Sequence, residues 1–173
     1  MAGQATVSRI ENDRVFVLER VFDAPRKLVF TMFKEPEHLK HWWGPAGWEL
    51  PVCNIDFRAG GVWHYCMKCA DPSMGEFYGM ESWGKAIYKE IVEPEKIVYT
   101  DYFSDAEGKI NEELPATDVT VEFIALDGRT KLVSRSEYVS AEALKTVIDM
   151  GMEEGFNQTW NRLEEHLKKI QQG

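Results

Sequence analysis

The spacing of apolar positions changes along the chain, and each change predicts a different element. From Val15 to Phe22 the run VFVLERVF is dense in β-branched and aromatic residues and reads as a strand. The stretch before it, Met1 to about Arg9, is polar and is expected to be frayed. Asp23-Ala24-Pro25 ends the strand. Asp23 suits a helix N-cap, and Pro25 suits a first turn, where its missing N–H does no harm. Leu28, Val29, Met32 and Phe33 then give an i, i+4 stripe that stops at Glu35-Pro36. A second short helix is expected from about Glu37 to Trp42, before the turn residues Gly44-Pro45-Ala46-Gly47.

Strand-like runs follow: Trp48 to Phe57, Gly61 to Met67, Phe77 to Val92, Lys96 to Phe103, Val119 to Ala125 and Lys131 to Val139. Their separators are hairpin chemistry, with Asp127-Gly128 the strongest signal, so the runs predict an antiparallel meander. After Ser140, a good N-cap, the period becomes helical. Leu144, Ile148, Met152, Phe156, Trp160, Leu163 and Leu167 form one stripe of a helix expected from Ala141 to about Ile170, roughly 45 Å long at 1.5 Å per residue. The pattern is α+β: two short helices after the first strand, then a curved antiparallel sheet of about six to seven strands wrapped around a long C-terminal helix.

Composition narrows the function classes. A hydrophobic fraction of 44% and an aromatic fraction of 12% suit a folded core. The net charge of -9 argues against nucleic acid and against anionic membrane surfaces. No apolar run is long enough to span a bilayer, and the first residues carry no apolar signal core. Three cysteines, an odd number, are read as reduced thiols in a cytoplasmic protein. Oligomeric state is not encoded in any pattern here.

Several short motifs together resemble one family. Arg20-Val21-Phe22-Asp23-Ala24-Pro25 with Val29-Phe30 resembles the opening of the activator of heat-shock protein 90 ATPase homologue family, within the START-like (SRPBCC) superfamily. Glu35-Pro36-Glu37-His38-Leu39, Trp42-Trp43-Gly44-Pro45, and Asp56-Phe57-Arg58-Ala59-Gly60-Gly61 with Trp63 match its next signatures. Glu93-Pro94-Glu95-Lys96-Ile97-Val98-Tyr99-Thr100 resembles its proline-containing hairpin, and Gly155 with Trp160 to Leu163 its closing helix. The resemblance runs from about Val15 to Lys168 and implies the helix-grip fold, as one domain over residues 1–173 ordered from about 10 to 170. It also implies a cavity between sheet and helix, of the kind that binds lipids and other apolar molecules in the wider superfamily. A chaperone partner in a stress response is a second implication, and an enzyme acting on an apolar substrate a third.

The candidate site follows from the same residues. Gly151 and Gly155 lie four apart on the expected helix, and each costs about 1 kcal/mol relative to Ala. Either they leave space for a ligand, or they let the helix backbone close on a strand aromatic. The strands carry Trp48, Trp63, Tyr65, Trp83, Tyr88, Tyr99, Tyr102 and Phe103, which fit cavity walls with polar tips as well as they fit a plain core. Alternation places Trp63, Tyr65 and Met67 on one face, and Tyr99, Asp101 and Phe103 on one face. On a concave face Asp101 is an anchor in apolar surroundings, with a raised pKa; on a convex face it is solvated. The expected ligand-binding set is Trp63, Tyr65, Trp83, Tyr99, Asp101, Phe103, Val147, Gly151 and Gly155. No catalytic residue and no cofactor is assigned, because no nucleophile elbow, P-loop or dinucleotide motif is present. Cys66-x-x-Cys69, with Cys53 and His64 nearby, is not read as a metal site, since positions three apart on a strand point to opposite faces. Glu153-Glu154 and Glu164-Glu165 are read as solvated helix charges, and at least one of Trp42 and Trp43 as buried.

Overall fold

The computed structural model describes residues 6–44 and 46–172. The Pro45 of the predicted turn and most of the polar leader lie outside that range. Among the described residues eight strands form one antiparallel sheet: β1 (Val7–Glu11), β2 (Val15–Phe22), β3 (Trp48–Ile55), β4 (Val62–Cys69), β5 (Glu81–Val92), β6 (Lys96–Phe103), β7 (Thr117–Leu126) and β8 (Arg129–Glu137). The spatial order is β1-β2-β8-β7-β6-β5-β4-β3. After β2, the helices α1 (Arg26–Lys34) and α2 (Pro36–Trp42) carry the chain to the far edge, and the meander returns strand by strand until β8 pairs with β2. Register shifts between Tyr88 and Glu90 on β5, and between Glu49 and Val52 on β3, add the local twist that bends a sheet into a grip.

Four expectations about the elements change, the first of which raises the expected six to seven strands to eight. The stretch Val7–Glu11 is a paired edge strand, not a frayed tail: Ser8 faces Leu18 and Ile10 faces Phe16. Residues Phe77 to Met80 precede β5; a 3-10 turn at Pro72–Phe77 and the turn after it occupy the place of the expected strand start. Asp23 does not cap α1. Pro25 holds the N-cap position and no side chain satisfies that end. The C-terminal helix is two helices, α3 (Ala141–Asp149) and α4 (Met152–Gln172). Ser140 does cap α3, its Oγ accepting from the Ala143 N–H at 3.1 Å. The break falls at Gly151, whose φ of +90° is a left-handed conformation that ends the first helix and starts the second.

Alternation along the strands sends Phe16, Leu18 and Phe22 of β2, Val119, Val121 and Phe123 of β7, and Trp63 and Tyr65 of β4 to the concave face, where all are buried. The apolar stripe of α4 meets them through Trp160, Leu163 and Leu167, with the Phe22 and Trp160 rings edge to face at 5.8 Å. Burying each such leucine is worth about 1.5–3 kcal/mol. Helix α1 covers the other end of the sheet with Val29, Phe30, Met32 and Phe33, and Trp42 closes it with its indole N–H on the Met32 carbonyl at 3.2 Å. Polar contacts also cross this core. Arg20, on the concave face of β2, is buried and reaches Glu164 Oε1 at 3.1 Å and Asn161 Oδ1 at 2.8 Å on α4. Glu164 is therefore not a solvated helix charge; its side chain is 16% exposed and neutralises Arg20. Glu165, one residue on, is exposed.

Candidate functional site

The concave face leaves a pocket of about 480 Å³ where the α3–α4 break stands off the sheet. That volume is within the range of small-molecule sites. The helices contribute Val147, Gly151, Met152, Gly155, Phe156 and Trp160. The sheet contributes Tyr65 and Met67 from β4, Ser82 and Gly84 from β5, Asp101 and Phe103 from β6 and Thr117 from β7, with Trp43 and Tyr138 at either side. A Cβ placed on Gly151 or on Gly155 would meet no atom within 4 Å. Gly155 thus faces open space and not a strand aromatic, whereas Gly151 is exposed at the break.

The floor is built around a close approach. Tyr65 and Gly84 are partners across β4 and β5, and a Cβ on Gly84 would fall 2.3 Å from Tyr65 Cζ. The missing side chain lets the phenol ring lie flat over β5 and reach β6, where its O–H donates to Asp101 Oδ1 at 3.0 Å and sits 3.1 Å from Oδ2. Asp101 is half-buried and opens to the pocket. Burial pushes its carboxyl up to about 7, against the opposing pull of the Tyr65 hydrogen bond. Burial likewise raises Tyr65 well above the ordinary phenol value, and the neighbouring Asp101 adds to it. Tyr138 donates to Met152 Sδ at 3.1 Å, tying the end of the sheet to the start of α4. The loop beside Trp43 is held from α4 by Arg162, which donates to the carbonyls of Gly44 at 2.8 Å and Trp48 at 3.1 Å.

Seven of the nine expected residues border this pocket: Tyr65, Trp83, Asp101, Phe103, Val147, Gly151 and Gly155. They do so in different ways. Trp83 pairs with Cys66 on the opposite face, and its ring lies 5.2 Å from that of His64. Its indole therefore points outward, and it borders the pocket beside Gly84 without walling it. Trp63 and Tyr99 lie behind the floor, 6.3 Å apart ring to ring, as buried core. Asp101 stands on the concave face. Sequence reading missed Gly84, Thr117, Tyr138 and Thr159. A glycine inside a strand was the available signal for the first, since it marks a close approach; the others carry no local signature. Trp42 is fully buried and Trp43 partly so, its ring edge-on to Trp63 at 4.7 Å. The cysteines Cys53, Cys66 and Cys69 are free thiols, and burial raises Cys53 to about 11.

Eight antiparallel strands gripping a C-terminal helix, with a pocket between them, define the helix-grip class. The family described as Activator of Hsp90 ATPase homolog 1-like protein matches residues 23–168, and the chain belongs to that family. A solution structure of a protein from Arthrobacter aurescens is similar, with 27% identity and a TM-score of 0.83, covering 94% of this chain and 91% of its own. A Mycobacterium smegmatis protein has 28% identity and a TM-score of 0.80, with 92% and 94% covered. A Silicibacter pomeroyi protein called AHSA1 shares the fold at 21% identity and a TM-score of 0.70, with 90% and 99% covered. A search of curated proteins gives no match. Among the described residues no helix is long and apolar enough to cross a membrane.

Proposed function

We propose that this protein binds a small, largely apolar molecule in the pocket between the sheet and the α3–α4 break. The observation that carries the reading is the unfilled space over the helical Gly155, inside a pocket of about 480 Å³. A helix glycine facing vacant volume lowers stability with no packing gain to offset it, so a ligand is the economical reason for it. Phe156, Trp160, Met67 and Met152 supply apolar walls, while Asp101, Tyr65 and Thr117 supply a few polar groups that would orient what enters. Native mass spectrometry after mild purification tests this. A retained small molecule, or a rise in melting temperature with apolar compounds, is expected. A panel of lipids and aromatics that leaves the melting temperature unchanged, with no copurified mass, removes the reading.

The family's description favours a second reading, a docking partner among chaperone ATPases. Binding of the heat-shock protein 90 homologue from the same cell at micromolar concentration would support it, and absence of binding would sink it.

A further inference from the structure

The pocket has a marked charge asymmetry. Asp101 is its one carboxylate, and no Lys, Arg or His stands among the described residues that line it. The titratable groups around Asp101 are phenols: Tyr65 on β4, Tyr99 on the same strand β6, and Tyr138 after β8. Tyr65 spends its single proton on the carboxylate, whose remaining lone pairs are open to the pocket. The rings of Trp43, Tyr65, Phe103, Tyr138, Phe156 and Trp160 border the same space. We propose that the pocket selects amphiphiles bearing a basic amine, with the ammonium against Asp101 and the aromatic rings, and the apolar tail along α4.

This proposal rests on the apolar-ligand reading above and names its ligand class. A carboxylate in low dielectric attracts a cation far more strongly than it does in water, and aromatic faces add to that attraction. A fatty-acid headgroup would meet Asp101 with no cation between them, which disfavours it. A neutral headgroup would gain only an ordinary hydrogen bond. The overall charge of -9 steers cations toward the molecule as well.

Decylamine, decanol and decanoate share one tail and differ in headgroup charge, so calorimetric titration of the three separates the cases. At about pH 8 decylamine is expected to bind about tenfold more tightly than decanol, with decanoate weakest; tenfold is about 1.4 kcal/mol. As pH falls below about 7 the amine should lose affinity and release a proton from Asp101 on binding, while decanol should not. In Asp101→Asn the amine-to-alcohol ratio should approach unity. Decanol or decanoate binding as tightly as the amine overturns the proposal and leaves the apolar-ligand reading standing. Failure of all three to bind also overturns the proposal, and the apolar-ligand reading is then decided by the copurification and melting-temperature tests above. The wild-type series decides the question even where the variant does not fold.

Discussion

Asp101 couples the pocket to the stability of the whole domain. Its carboxyl titrates at about 7 when folded, against an ordinary value of 3.8. Between those values the folded state keeps the proton and the unfolded chain has lost it, so stability falls as pH rises from about 4 to 7 and is level above that. Asp101→Asn carries no such titration. Denaturant midpoints taken across this range should fall more steeply for the wild type than for the variant, and parallel curves would show that the carboxyl is solvated. The two helix glycines make a second test at this scale, with opposite signs. Gly155 has helical backbone and open space, so Gly155→Ala should stabilise by about 1 kcal/mol. Gly151 holds φ at +90°, so Gly151→Ala should cost about 1–2 kcal/mol although its Cβ would touch nothing. A bulkier Gly155→Leu should keep the fold and abolish binding of decanol. The spacing of the two glycines was legible in the sequence, but their different backbones were not: both fit an i, i+4 helix pattern, and only tertiary packing decides where a helix breaks.

At the scale of elements, the contact between β2 and α4 is both apolar and ionic. Arg20 lies on the concave face, 5% exposed, with Glu164 as its charge partner. Removing Glu164 leaves the buried Arg20 with neutral partners such as Asn161, so Glu164→Ala should destabilise by about 1.5–3 kcal/mol in chemical denaturation. Glu165→Ala, one residue along and exposed, should change stability by less than about 0.5 kcal/mol. Equal effects would refute the clamp. Sequence alone put both glutamates on a solvated face, because helical period assigns positions to faces but does not reveal a buried cation opposite. The strand meander was readable, since Asp127-Gly128 and the other turn residues fall between apolar runs. The edge strand Val7–Glu11 was not, because its pattern is mostly polar and its pairing comes from β2. Trp83 shows the same limit. Its type suited a cavity wall, and only the pairing of Cys66 with Trp83 fixed it outward.

Across the whole molecule, stability is unevenly distributed, and the pocket sits at its weaker end. Along α4 the residues Thr159, Trp160, Leu163 and Leu167 are buried, whereas α3 buries Leu144 alone. Met150, at the break, is 77% exposed. Local opening of α3 therefore costs little of the free energy that global unfolding costs. The same helix supplies Val147 to the pocket, and the break supplies Gly151. A ligand that touches both sides of the break binds the closed arrangement and not the opened one, so it stabilises closure with the logarithm of free ligand concentration once that exceeds Kd. Hydrogen exchange measures this directly. Without ligand, the amides of Ala141–Asp149 should exchange much faster than those of Trp160 to Leu167. With saturating decylamine, protection should rise in α3 and at the break and stay constant in β2 and β8. Protection rising uniformly across the sheet would mean that binding acts on global stability alone, and unchanged protection in α3 would place the ligand away from the break.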